Sequence, residues 1–372
     1  MTSALLTLER DAPFSQISVL GVFFGDNQHI EFRECAMRAI LMTVLLGACL
    51  LPPQTSFAQD VEGPLPVADV HLGTVLVQGK QPGPRLWKVI NGENTLWIIG
   101  TLSPLPAGMD WDSARVERLV ASSQQVIWSP SLSVGADINI FKGIYLGYQF
   151  KRSEGNPDGK TLKDVLPAST YNDWLIQKKR FLGNDRSIEN KRPMFAAGKL
   201  YEAALKRSGL KSGAVVETPI RNAAKANKIA ITAPTYKIMV KDPGKLVKQL
   251  RGSSLNDVAC MQATLELLEQ RLPRVAANAN AWATGNLSAI SLGSVSHRAE
   301  QCSDALSESE LGKQLGVGNI NAHMRNAWVN MASDALKKNR STVALLSIQN
   351  LTNADGYLAA LRAKGYTVIP PQ

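Results

Sequence analysis

Histidine is scarce in this chain, four residues in 372. Past residue 58 only His71, His297 and His323 remain. None stands at ligand spacing from another, so neighbouring residues cannot build a three-histidine metal site, and each reads as a surface or packing histidine. No Gly-x-Ser-x-Gly elbow holds a serine, and neither a Gly-x-Gly-x-x-Gly turn nor a Walker loop occurs, which removes the commonest hydrolase and nucleotide-binding signatures. Cysteine is as rare, four in all with no Cys-x-x-Cys pair. After residue 58 no run approaches the roughly 18 apolar residues that a membrane-spanning helix needs. Zinc fingers, aromatic ladders and Gly-x-x-Gly clamps are missing too, so the formal charge of +10 reads as a solvated basic surface and not as a nucleic-acid site.

What is present begins at Met37. Arg38 supplies a positive charge, Ala39 to Leu51 is an uncharged apolar run, and Ser56-Phe57-Ala58 offers small residues before Gln59. This is the pattern of a secretory signal peptide cleaved after Ala58. Leu46-Gly47-Ala48-Cys49 also resembles a lipobox, which gives an alternative: a chain lipid-anchored through Cys49. Residues 1–36 fit neither pattern and read as a leader upstream of the true start. The expectation is a periplasmic or secreted protein: signal peptide 37–58, a loose mature N-terminus 59–84, and a globular part from residue 85 to 372. Removing a leader richer in acids than in bases makes the remainder more basic, which suits an acidic envelope polymer or an envelope protein as partner. Clusters lie at Lys178-Lys179-Arg180 and along Lys237, Lys241, Lys245, Lys248 and Arg251. Two cysteines survive processing, Cys260 and Cys302, and an oxidising compartment favours their pairing.

Apolar periodicity sets the fold class. Leu86–Ile90 and Thr95–Gly100 are strand-like and flank Asn91-Gly92, a hairpin signal. A helix over 112–123 and a strand at Gln125–Trp128 follow. Strand, helix and strand within so short a span make a parallel sheet the natural reading. The middle is helical over Leu162–Leu182, Met194–Arg207 and Leu255–Leu272. In the last of these Val258, Met261, Leu265, Leu268 and Leu272 share one face, and Pro273 follows. The chain closes with a helix over Asn321–Lys338, a strand at Thr342–Ser347, a helix over Ala354–Lys364 and a strand at Tyr366–Ile369. The expected fold is α/β, one sheet built from N- and C-terminal segments around a large helical insertion.

Two segments carry a resemblance. Leu86-Trp87-Lys88-Val89, then Leu96-Trp97-Ile98-Ile99-Gly100-Thr101 with Pro104, Leu105, Pro106 and Gly108, resemble the opening of the TraB/GumN family. Arg325-Asn326, Met331, Thr342 to Leu351, Asp355-Gly356 and Lys364 to Val368 resemble its end. Weaker matches between them include Leu166-Pro167, Arg192-Pro193 and Trp282 with Gly285. The family is related to Tiki-type and erythromycin-esterase-like proteins, and some relatives are metal-dependent proteases or hydrolases. The resemblance implies a site marked by two Gly-x-x-His motifs and by a glutamate ending the strand after the first. Here those positions hold Ser103, Asn350 and Trp128, with Ser347 in place of the second glycine. None is a strong metal ligand or a base at neutral pH.

The resemblance therefore implies a catalytically degenerate hydrolase scaffold, with no metal and no cofactor expected, that binds a ligand or partner in the old cleft. Gly100, Thr101, Ser103, Arg325, Asn326 and Asn350 are its candidate binding residues. Two alternatives remain at this point. One is a hydrolase or protease, either metal-dependent or with relocated residues: Ser103 as nucleophile, aided by His297 or His323 and by Asp355. The other is an accessory protein of envelope polysaccharide.

Overall fold

The computed structural model describes residues 80–371 apart from 137, 253, 254, 256 and 292. The signal-peptide and lipobox segments, Cys49 and His71 lie outside the described residues, as does the side chain of His297. Among the described residues there are ten strands: β1 (Leu86–Asn91), β2 (Asn94–Thr101), β3 (Leu105–Pro106), β4 (Gln125–Ile127), β5 (Ser131–Gly135), β6 (Leu210–Lys211), β7 (Ala230–Thr232), β8 (Thr235–Met239), β9 (Ser341–Ser347) and β10 (Thr367–Ile369). Six of them form one mixed sheet in the order β10-β1-β2-β9-β4-β7. β3 pairs with β6, and β5 pairs with β8. This is the α/β sheet expected from the sequence, with strands from both chain ends flanking a large helical region.

The hairpin turns one residue later than Asn91-Gly92 suggests. Asn91 pairs with Asn94, leaving Gly92-Glu93 as the turn. Gly92 has a φ of +58°, a left-handed conformation that glycine adopts without a Cβ penalty. Both asparagines donate their side-chain N–H to the Leu336 carbonyl, at 3.1 and 2.9 Å. The hairpin thus satisfies a carbonyl in the last turn of helix Ile320–Lys338, which otherwise lacks an intrahelical partner.

β9 is the centre of the sheet. Thr342 to Leu346 are all buried, because helices cover both faces, so its sequence is a continuous apolar run and not an alternation. It runs parallel to β2 on one side and to β4 on the other, while β7 continues parallel beyond β4. The unit β2, helix Ala114–Ala121 and β4 is therefore split by a strand from the far end of the chain. Helix Ile320–Lys338 covers the sheet with Trp328, Val329, Ala332, Ala335 and Leu336, all buried, a stripe at helical spacing.

The helical middle is more broken than its periodicity implies. Leu162–Leu182 divides into Leu162–Val165 and Ala168–Phe181, because Pro167 biases Leu166 away from the helical region. Val258–Glu266 is α-helical and widens into a π-helical turn over Leu267–Arg271. Helix Tyr357–Ala363 starts three residues later than expected. A Cβ at Gly356 would lie 2.7 Å from the Asn350 carbonyl oxygen, so the backbone there turns too tightly for a helix already under way. Cys260 and Cys302 form a disulfide 42 residues apart, joining helices Val258–Glu266 and Gly293–Ser307.

Candidate functional site

In open α/β sheets, ligands bind beyond the carboxyl ends of parallel strands, where the chain leaves the sheet into loops. β2, β9, β4 and β7 all end at one such edge. The register pairs Gly100 with Leu346 and Thr101 with Ser347, and Ile127 with Ala344. The ends of β2 and β9 are thus side by side, and Ser103 and Asn350 follow them by two and three residues. Trp128 follows β4 directly. Its neighbour Ser129 donates its hydroxyl to the Leu345 carbonyl at 3.2 Å, which puts Trp128 slightly deeper than the β2 and β9 ends.

Gly100 is a packing position. An added Cβ would lie 2.7 Å from Ile348 Cγ1 and 2.7 Å from Trp87 Cζ3, so β2 can run this close to its neighbours only as glycine. Its carbonyl accepts the indole N–H of Trp282 at 2.7 Å. Trp282 is fully buried and stands edge-to-face on Trp111, with ring centroids 5.5 Å apart. A tryptophan from the helical middle is thereby fastened to the strand that leads into the site. Thr101 is buried beside this junction.

The Ser103 hydroxyl oxygen is buried and has no hydrogen-bond partner. Neither His323 nor Asp355 reaches it. His323 is exposed and stacks on Tyr236, ring centroids 5.2 Å apart and 9° from parallel. The Asp355 side chain is also exposed. A serine nucleophile needs a base within hydrogen-bond reach, and Ser103 has none among the described residues.

Trp128 belongs to the hydrophobic core and is 9% exposed. Its ring is not an open apolar wall, because the exposed Arg221 of helix Ala214–Ala226 lies over it, with its guanidinium carbon 4.8 Å from the ring centroid. Cation–π contact fixes a positive charge at this end of the edge.

Asn350 lies in the first turn of helix Ile348–Thr352, whose cap is the Ser347 hydroxyl, accepting the Asn350 backbone N–H at 3.2 Å. Arg325 borders the next loop and donates Nη1–H to the Asp355 carbonyl at 3.0 Å. Its Nε is buried without a partner. The loop continues into Tyr357, whose burial pushes its phenol up to about 12, with Arg325 pulling the other way. Asn326 is exposed on the same helix as Arg325. Arg325 and Asn350 are therefore joined through residues 355–357, whereas Gly100 and Trp128 contribute packing. Sequence reasoning missed Arg221, because a single arginine on a helix gives no signal until the fold sets it over a particular ring.

Among the described residues no group of three His, Cys, Asp or Glu side chains could hold a metal ion. A hydroxyl, an amide and an indole do not make a divalent-metal cage. A groove of about 660 Å³ between helices Ala114–Ala121 and Ala214–Ala226, lined by Glu117, Arg118 and Asn222 among others, contains none of the candidate residues.

The model of the TraB/PrgY/gumN family matches residues 85–370. No curated protein and no solved structure matches the chain.

Proposed function

Because this chain belongs to the TraB/PrgY/gumN family, we propose that it is a catalytically degenerate member that binds an acidic ligand or partner at the C-terminal edge of its sheet, in the cell envelope outside the cytoplasm. One observation carries the reading. The ends of β2, β9 and β4 converge in register, and the positions that would hold the family's two histidines and glutamate carry only Ser103, Asn350 and Trp128. The scaffold is kept where the acid–base groups are gone. Arg221 and Arg325 border this edge, and guanidinium groups suit carboxylate or phosphate groups on a polymer or an envelope protein.

Titration with Mn²⁺, Co²⁺ or Zn²⁺ tests the proposal. The purified chain should bind these ions no better than a Ser103→Ala/Asn350→Ala variant, and should cleave no peptide or ester in their presence. Stoichiometric, tight metal binding lost on changing Ser103 or Asn350 would overturn the reading. Metal-independent turnover abolished by Ser103→Ala would replace it with a serine hydrolase. The combined variant Ser103→His, Trp128→Glu, Ser347→Gly and Asn350→His should gain metal affinity, because the strand ends converge.

A further inference from the structure

β5 and β8 extend the chain beyond β4 and β7 as a parallel pair, and each is followed by a helix, Ile140–Ser153 and Pro243–Gly252 respectively. The two helices pack together. Leu146, Phe150 and Ser153 of the first are buried, as are Pro243, Val247 and Leu250 of the second. The opposite face of the first helix presents Phe141, Ile144, Tyr145 and Tyr148, exposed by 80%, 65%, 61% and 61%. Their spacing of i, i+3, i+4 and i+7 is that of one helical stripe. An apolar helix is buried on one face in an ordinary fold, and this one is apolar on two.

Charge around the stripe has one sign. The helix carries Lys142, Lys151 and Arg152 and no acid, and its neighbour carries Lys245, Lys248 and Arg251 and no acid. All six are exposed. Lys245, Lys248 and Arg251 form a row at three-residue steps, and Arg251 donates to the Gln149 side chain at 2.7 Å, which brings that row against the helix that bears the stripe. Of the described acids flanking the pair, Glu154 pairs with Lys191 at 2.6 Å, and the exposed Asp242 accepts the Lys245 backbone N–H at 3.0 Å.

We propose that this helix pair is a docking surface for an anionic phospholipid bilayer, with Phe141, Ile144, Tyr145 and Tyr148 entering the headgroup boundary and the six cations meeting lipid phosphates. Aromatic and aliphatic side chains on one face, bordered by Lys and Arg, are the pattern of a helix lying in the plane of a membrane surface. Tyrosine favours that boundary because its ring is apolar and its hydroxyl stays hydrated. A second copy of the chain fits less well, because a two-fold contact through the same patch sets both sets of cations against each other.

Flotation with vesicles is the test. The purified chain should float with vesicles of equimolar phosphatidylcholine and phosphatidylglycerol and not with phosphatidylcholine alone. Two variants separate the contributions: F141S/I144S/Y145S/Y148S, and K245Q/K248Q/R251Q. Each should weaken vesicle binding by about tenfold or more, with thermal unfolding confirming that both are folded. Failure of the unaltered chain to float with anionic vesicles would overturn the proposal, and so would unchanged binding by both folded variants. A dimer of the unaltered chain that the serine variant alone dissociates, seen by sedimentation, would reassign the face to self-association. Metal titration reads none of these outcomes, so the docking surface and the degenerate site stand or fall separately.

Discussion

Replacing Ser103 by alanine should stabilise the protein. The Ser103 hydroxyl is withdrawn from water in the folded chain and receives no hydrogen bond in return, whereas in the unfolded chain it is hydrated. Leaving such a group unsatisfied costs about 1–3 kcal/mol. Alanine removes the group and forfeits only the packing of one atom, so we expect a net gain of about 1 kcal/mol. For a folded part of this size that is about 1–2 °C in melting temperature. Thermal scans, and urea titration with an unchanged slope, would measure it. A loss of about 1 kcal/mol or more would refute the reasoning, because it would mean that the hydroxyl has a partner in the folded protein, such as a bound water. The result also bears on function. A serine held for chemistry or ligand binding is expected to be a stability liability, and its removal should then raise stability while lowering ligand affinity.

Three further outcomes follow from groups away from the site. Replacing Cys260 and Cys302 by serine opens a loop of 42 residues and should cost about 4 kcal/mol by the chain-entropy estimate, read by urea unfolding; alkylation without reduction should label neither cysteine in the unaltered protein. Arg192, almost fully buried, donates to the carbonyls of Gly155, Leu250 and Arg251 and lowers the pKa of the nearby Asp257, although burial outweighs it and holds that carboxyl above its usual range. Arg192→Leu leaves those buried carbonyls without their charged donor and should therefore lose about 1–3 kcal/mol, and adding Asp257→Asn should recover part of it. The Tyr357 phenol, raised from 10.0 to about 12 by burial, stays protonated in the folded chain while the unfolded chain ionises, so stability should fall as pH rises from 10 through about 12. Tyr357→Phe should remove that component of the alkaline loss, and a chain whose alkaline profile ignores the substitution would contradict the assignment.

The parts of the fold legible in the sequence are those set by local periodicity. β1, β2 and their turn follow from alternation and Gly92, and β9 shows itself as an apolar run because both its faces are covered. The order of the strands is a different matter. Nothing local in Thr342–Ser347 says that it inserts between β2 and β4, because that depends on which faces the helices leave free after the chain has closed. The helix Ile140–Ser153 escaped notice for a related reason. Its two apolar faces blur the single stripe by which a half-buried helix is recognised, and only the packing of Leu146 and Phe150 shows which face is spare. At the site, Ser103 and Asn350 were singled out through a family resemblance, and only the register of β2 against β9 sets the strand ends that precede them side by side. Arg221 and the orphaned hydroxyl of Ser103 were not legible, since both are properties of surroundings assembled from distant segments.

On the proposed reading, three of the four replaced positions, Ser347, Asn350 and Trp128, differ in how firmly they are now held. Ser347 caps helix Ile348–Thr352 through its hydroxyl, and a glycine in that role costs only a few tenths of a kcal/mol relative to serine. The Asn350 side chain is only partly buried, and the tight contact at this turn involves its backbone carbonyl with Gly356, so an imidazole there leaves the turn intact. Trp128 is another case. Its indole fills the core between β4 and helix Ala214–Ala226 beneath Arg221. Removing so large a buried side chain costs about 3–5 kcal/mol, and a glutamate would also place a carboxylate in that space, with Arg221 as the one compensating charge just described. A stepwise reversion should therefore lose most of its stability at Trp128→Glu and little at the two positions on β9 and its following helix. If the site is degenerate as proposed, the barrier to a metal site lies in the core at the end of β4 more than in the missing histidines.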